Sequence, residues 1–366
     1  MSFSFGFSGD DIDATNDVNT SQAEQKLQTP APAASAFPVA GKPQLPPTHH
    51  TLPSLLLQLP SKIAFSCLDV DLDDGSSMKI PRRELWDVRV QLMAEDDGQD
   101  GLEGLGEHDV KTGVYEGGFK SWESSVDLVK VLAAGEDFYG PGKPPVRVVE
   151  LGCGTALPSL AMFQWASKPE LESRSPCSFV IADYNPTVLQ LVTLPNFILT
   201  WALNQSATTP ELCEALTGDK EQELELTPQV IEAFQRFLTQ NSISLSFLSG
   251  AWSREFVDLI YATSSDTAVA PATLILGAET IYSPFALKSF TETIFTISER
   301  ARREAGPGAV AYVGAKRLYF GVGGSLDDFV ADVQARGAIV TQLREETQGV
   351  RRGVVRCSLV DTGAVG

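Results

Sequence analysis

The chain has 366 residues, 47 acidic against 28 basic side chains, and a net charge of −19. That length suits one large α/β domain with appendages. The charge argues against a nucleic-acid binder and favours attraction to basic partners. The five cysteines, Cys67, Cys153, Cys177, Cys213 and Cys357, are odd in number and widely spaced, with no metal-ligand pattern. Reduced, intracellular thiols are the simplest account. No signal peptide or long apolar span is evident, so the expectation is a soluble, monomeric, cytoplasmic protein with nuclear access and no membrane partner.

Residues 1–60 read as a disordered tail, because repeated prolines between Pro30 and Pro53 cannot hold a helix or a sheet. The opening Ser2-Phe-Ser-Phe-Gly-Phe-Ser-Gly-Asp-Asp spaces three aromatics across polar residues. His49 and His50 fall in this tail and read as solvated. Residues 61–110 form an N-terminal extension, with alternating strands expected at Ile63–Val70 and Glu84–Leu92. Glu95 to Asp109 carries seven acids and no base. This is a solvated loop or a steering surface for a basic substrate.

The main domain is expected over residues 111–366. Val126, Val129, Leu132 and Ala133 have the spacing of an amphipathic helix, entered through Ser121, Trp122, Glu123, Ser124 and Ser125. Gly117-Gly118 allows a tight backbone path just before it. On periodicity alone, Trp122 is a core anchor.

Val146-Arg-Val-Val-Glu-Leu-Gly-Cys-Gly-Thr-Ala-Leu-Pro158 is the organising stretch. An apolar, β-branched strand breaks at Gly152 and Gly154 and resumes as a helix, which lets a ligand approach the backbone. The dinucleotide fingerprint wants another glycine at position 157, where this chain has Leu157. Glu150 would repel a pyrophosphate and suits a cationic ligand such as S-adenosylmethionine. This Glu-x-Gly-x-Gly form resembles the first motif of class I methyltransferases; a strand-to-helix turn without ligand would use the same glycines.

Further strands follow at Ser178–Asn185, Ser242–Leu248, Ala272–Glu279, Ala309–Ala315, Gly337–Leu343 and Gly353–Val360. The result is a Rossmann-like, seven-strand, mostly parallel sheet closed by an antiparallel hairpin. Asp183 ends the second strand, where an acid accepts ribose hydroxyls, with Tyr184 and Asn185 beside it. Asn185 also suits a helix cap before Pro186. Leu189–Leu203 reads as a helix that Pro195 interrupts or kinks. Residues 204–240 read as an acidic insertion, helical from Val230 to Leu238. The third strand would bring Ala251 and Trp252 against adenine. Glu279 and Tyr282 fall at the fourth strand's carboxyl end, where chemistry is expected.

Several of these stretches resemble one family when taken together. Gly113-Val-Tyr-Glu-Gly-Gly-Phe-Lys-Ser-Trp-Glu, Glu150-Leu-Gly-Cys-Gly, Asp183-Tyr-Asn, Thr193-Leu-Pro-Asn196, Glu279-Thr-Ile-Tyr282 and Ala315-Lys-Arg-Leu-Tyr-Phe-Gly-Val-Gly-Gly324 look like protein-histidine N-methyltransferases that modify a ribosomal protein. The opening Ser-Phe-Ser-Phe-Gly-Phe resembles fungal members. The resemblance implies S-adenosylmethionine as donor and, as acceptor, a histidine of the third large-subunit ribosomal protein, free or in a pre-ribosome. It implies donor contacts from the Ser121–Ser125 turn, Gly152, Gly154, Asp183, Tyr184, Asn185, Ala251, Trp252 and Ala278, and so moves Trp122 from core to cofactor.

A neutral imidazole already has a lone pair near pH 7, so no strong base is needed. An acceptor for its other N–H is needed, and Glu279 suits that role with Tyr282 shaping the pocket. Glu279 could instead bind the donor's amino group or orient a loop. Gly321, Gly323 and Gly324 could admit substrate backbone or form an ordinary turn. His108, tethered near the site, raises self-methylation as an expectation beyond the resemblance; a solvated loop histidine is the alternative. Two rival readings of the whole chain are a protein-lysine methyltransferase and a donor-binding ribosome-assembly factor without catalysis.

Overall fold

The computed structural model describes residues 41, 43–95, 110–111, 115–116, 118–135, 138–139, 142–168, 175–217, 222–263, 269–304, 308–319 and 323–359. The aromatic opening motif, most of the 95–109 acidic run, His108 and Gly321 lie outside them.

The large sheet contains β1 (Thr48–His50), β2 (Val146–Leu151), β3 (Cys177–Asp183), β4 (Ile243–Ser249), β5 (Ala272–Ala278), β6 (Ala309–Lys316), β7 (Ala338–Glu346) and β8 (Arg352–Leu359). Their order is β1-β4-β3-β2-β5-β6-β8-β7. The run from β4 through β6 is parallel, while β8 pairs antiparallel with both β6 and β7. The seven expected strands thus take the class I methyltransferase order, and β1 adds an antiparallel edge strand.

The central strands are apolar on both faces because helices cover both. On one face lie α1 (Glu123–Ala134), α2 (Leu157–Ala166), α3 (Leu194–Gln205) and α4 (Pro228–Gln240). Phe163 of α2, Phe197 and Trp201 of α3 and Phe234 of α4 pack there with Phe179 and Phe247 of the sheet. On the other face, α5 (Arg254–Ala262), α6 (Pro284–Arg303) and α7 (Leu326–Ala335) supply Phe256, Phe290 and Phe329.

Two expectations are corrected. First, the supposed tail is structured from residue 43 to 60: Thr48 and His50 pair with Ser249 and Phe247, and a short helix spans Leu52–Leu56. His50 is no solvated bystander, since its Nε2 lies 2.7 Å from Ser249 Oγ. Second, Glu84–Leu92 is not a strand. Leu85–Glu95 is helical, burying Val88 with Leu85 and Leu92 against Phe119, Val188, Leu191 and Val192, while Trp86 and Val90 stay exposed. Alternation would have put Trp86, Val88 and Val90 on one face, but spacings of three and four decide the packing.

The acidic 204–240 insertion is helical over Pro228–Gln240, as expected, and it also joins the N-terminal extension. Its Gln222–Glu225 strand pairs with Lys62–Phe65. The four-stranded second sheet therefore runs 77–83, 62–71, 222–225, 216–217.

The interruption expected at Pro195 takes the form of a π-helical turn just before it, and the helix continues past the proline. A turn at Pro186–Val188 runs through a π-helical turn at Leu189–Thr193 into α3. Pro195 has no N–H for the Leu191 carbonyl four residues back. Arg83 Nη1 fills that place at 2.8 Å. This Pro186–Gln205 segment is long and apolar enough to cross a membrane, a span unnoticed in the sequence, but it is 78% buried inside the fold and reads as a core helix.

Candidate functional site

Sheet order changes direction between β2 and β5, and ligands of open α/β sheets sit beyond the carboxyl ends at that point. A cleft of about 1050 Å³, its mouth included, opens there. One side is made largely of backbone. Gly152 and Gly154 have φ of +67° and +51°, which glycine adopts without strain. A Cβ on Gly152 would lie 2.5 Å from Thr280 Cγ2, and one on Gly154 would lie 3.0 Å from Gly118 O. Asp183 accepts Gly154 N–H and Asn185 N–H at 3.0 Å each. Burial pushes its carboxyl up to about 6, against those N–H bonds.

Glu150 is buried at the end of β2 and accepts Ser159 N–H at 3.0 Å. It thereby caps α2, whose own N-cap, Ala156, offers no side-chain acceptor. Burial pushes the Glu150 carboxyl up to about 8. A cation entering the cleft would draw out its proton. The Thr193-Leu-Pro-Asn196 motif acts from behind: Thr193 Oγ1 donates to Gly154 O at 2.7 Å, and Asn196 Nδ2 donates to Thr155 O at 3.1 Å. The π-turn and Pro195 set these donors under the glycine loop.

The other side is made of side chains from distant segments. Glu279 follows β5 with φ of +60°, an uncommon backbone state for a residue with a Cβ. Its N–H donates to Gly314 O at 2.9 Å, which holds the turn to β6. Ser124 Oγ donates to Glu279 Oε1 at 2.5 Å, and Tyr319 OH donates to Oε2. Burial and the adjacent Glu279 carboxylate push the Tyr319 hydroxyl far above its ordinary range, so it remains a donor. Lys316 Nζ stands 3.9 Å from Glu279 Oε2. Trp122, Tyr282 and Glu279 all face the cleft.

These residues fit S-adenosylmethionine. The glycine cradle admits a close ligand, Asp183 offers a carboxylate at the strand end, and Glu150 offers another for positive charge. Trp252 Nε1 and Thr280 Oγ1 are buried without a partner among the described residues, and both residues line the cleft.

No family model matches the chain. Among curated proteins it is 36% identical over 356 residues to Histidine protein methyltransferase 1 of Saccharomyces cerevisiae, covering 90% of each chain. It is 34% identical over 316 residues to the Schizosaccharomyces pombe protein of the same name, covering 83% of each. The chain belongs to the histidine protein methyltransferase family. It is an enzyme, and S-adenosylmethionine is its methyl donor. Among solved structures, the N-terminal domain of human METTL16 in complex with SAH overlaps 80% of this chain and 89% of that chain, with a TM-score of 0.36 at 11% identity. The rRNA methyltransferase aviRa from Streptomyces viridochromogenes overlaps 71% and 96%, with a TM-score of 0.33 at 13% identity. The fold of this methyltransferase rests on its own strand order, not on these loose overlaps.

The cleft gathers Trp122, Ser125, Glu150, Gly152, Gly154 and Asp183, then Tyr184, Asn185, Ala251, Trp252, Ala278, Glu279 and Tyr282. Three expected cofactor residues do not line it. Ser121 is spent on Thr155 Oγ1 at 2.9 Å, Glu123 points to solvent, and Ser124 turns under the helix start to Glu279. The rotation of successive residues about the new helix axis separates them. Gly324 does not admit a foreign backbone, because a Cβ there would lie 2.4 Å from Ile281 O. Its room is already taken by the chain's own turn.

Sequence reasoning missed Gln44, Lys120, Thr155 and Val188 in the lining, and Lys316 and Tyr319 behind Glu279. Gln44 had no signal, since it sat in a proline-rich stretch. It reaches the cleft because Leu45 N–H donates to Tyr184 OH and Ala251 N–H donates to Leu45 O, each at 2.9 Å. Lys316 and Tyr319 had one signal: both lie in the Ala315–Gly324 motif.

Proposed function

We propose that this methyltransferase acts on an imidazole nitrogen of a histidine in the third large-subunit ribosomal protein. The observation that carries the reading is the Glu279 carboxylate, fixed by two hydroxyls at the turn after β5 and facing the cleft beside Trp122 and Tyr282. S-adenosylmethionine supplies the electrophilic methyl group. Everything else required of the protein is alignment and charge. Glu279 keeps lone pairs beyond those used by Ser124 and Tyr319, so it can accept the N–H of an imidazole ring and hold the tautomer whose other nitrogen attacks. As that nitrogen takes on the methyl group as its third substituent, the same carboxylate accepts the proton of the ring's other nitrogen through the hydrogen bond, so the methylated ring leaves neutral. Tyr282 and Trp122 wall the ring from water.

The net charge of −19 supports a basic protein partner. In this reading the protein works as a monomer in the cytoplasm, with access to pre-ribosomes in the nucleus. The test is transfer of tritiated methyl from the donor into ribosomes of cells lacking the protein, with amino-acid analysis of the labelled band. Label in methylhistidine of one large-subunit protein is expected. Methyllysine would move the chain to a sister activity. Absence of label, with donor binding intact, would place the acceptor outside the ribosome.

A further inference from the structure

Lys316 ends β6 with its ammonium held on three sides. Its Nζ lies 3.9 Å from Glu279 Oε2, 4.9 Å from the centre of the Trp122 ring and 5.5 Å from that of Tyr319. Two aromatic faces and a carboxylate are the set with which proteins hold an alkylammonium ligand. Two members of this set, Trp122 and Glu279, also line the methyl-transfer cleft. The third, Tyr319, is tied to Glu279 by its hydroxyl.

We propose that Lys316 is a specificity-determining plug: the chain's own lysine fills the ammonium cage of its active site, so the site rejects a lysine acceptor and admits a neutral imidazole. A lysine reaches an active site as a cation, because its reference pKa is about 10.4. To react it must be captured as ammonium, lose a proton and then attack. Here the captor is taken. The charge of Glu279 is matched by Lys316, and its oxygens accept Ser124 and Tyr319 hydroxyls. An incoming ammonium would find no free counter-charge at that wall and would meet a like charge just behind it. A neutral ring requires only a spare lone pair on the carboxylate. Lys316 touches neither donor nor acceptor in this account. It acts through Glu279 and Trp122 as a positioning residue.

A plain structural ion pair is the competing explanation, and it makes a different prediction. Loss of a merely structural contact would lower transfer to every acceptor alike. Loss of a plug would change which acceptor is preferred.

The inference rests on histidine being the acceptor, so the experiment begins with the unaltered enzyme. The recombinant third large-subunit ribosomal protein is labelled, the modified histidine is mapped by peptide mass spectrometry, and a second substrate is made with lysine at that position. Failure of the unaltered enzyme to label any histidine would sink the acceptor reading itself, and this inference with it. Otherwise, Lys316→Ala and Lys316→Met, the second retaining apolar length, are compared with Lys316→Arg, which keeps a cation in the cage. Removing the caged charge is expected to raise the lysine-to-histidine ratio of kcat/KM by about 10-fold or more. Lys316→Arg is expected to stay within about twofold of the unaltered enzyme. Donor affinity, measured by calorimetry, reports that each variant folds. An unchanged ratio in both neutral variants, a parallel fall on both substrates, or a raised ratio in Lys316→Arg would overturn the plug.

Discussion

The two walls of the cleft are built on different principles. The wall proposed to hold the donor uses short stretches at the ends of β2, β3 and β4, and its working groups are largely backbone: a glycine cradle, N–H groups on Asp183, and a helix start capped by Glu150. The wall proposed to face the acceptor draws Ser124, Glu279, Lys316 and Tyr319 from three separated segments and works through side chains. The first wall is shared by many ligands of α/β sheets because it only needs a turn and a strand end. In the proposed function the second presents Glu279 to the group that receives the methyl, which is where one methyltransferase differs from another.

Three experiments press on this contrast. The largest effect belongs to the backbone wall. Gly154→Val forces a branched residue to φ of +51° and sets its Cβ 3.0 Å from Gly118 O. That conformation costs about 1–3 kcal/mol, and the side chain crowds the cradle. Loss of donor-induced thermal stabilisation is expected; a shift in Tm equal to that of the unaltered protein would mean the cradle is not the donor site.

Next is the titration of Glu150. Its folded pKa is raised to about 8, so the empty fold holds a proton that the unfolded chain has released. Stability of the empty protein should therefore fall as pH rises from about 4.5 toward 8, in the opposite sense to a salt-bridged carboxylate. Donor binding should show the reverse trend. A cation favours the carboxylate, so affinity should climb between pH 6 and pH 8, by at most about 10-fold per unit, with proton release. Calorimetry in buffers of different ionisation enthalpy measures that release. Glu150→Gln should abolish the release and flatten the slope, and an unaltered slope in that variant would remove Glu150 from the donor wall.

The third tests whether the walls are separable. Tyr319→Phe removes one hydroxyl from the Glu279 carboxylate. A hydrogen bond to a charged group is worth about 1.5–3 kcal/mol, so kcat should drop roughly 10-fold to 100-fold. Donor affinity should hold. If affinity falls in step with kcat, Tyr319 supports the cleft as a whole and the division fails.

Legibility in the sequence followed the same division. Gly152, Gly154, Asp183 and the succession of strands along the chain could be read directly, because each signal lies within one strand and the turn that leaves it. Glu279 could be placed at the right strand end for the same reason. The helix at Leu85–Glu95 was misread, since Trp86, Val88 and Val90 mimic alternation when their burial partners are not known. Pro195 signalled an interruption or kink, but not that Arg83, 108 residues from Leu191, satisfies the carbonyl that the proline strands.

What the chain's local patterns settled was a parallel sheet, its glycine turn and the acids at its strand ends. Backbone geometry and alternation are properties of neighbouring residues, so they are written where they act. Tertiary structure alone decided that Gln44 reaches the cleft, that the 204–240 insertion joins the N-terminal extension, and that Ser124, Lys316 and Tyr319 close around Glu279. Ser124 and Glu279 are 155 residues apart, and no periodicity spans that distance. Only the packing of α1 against β6 and the turn after β5 brings their side chains within a hydrogen bond.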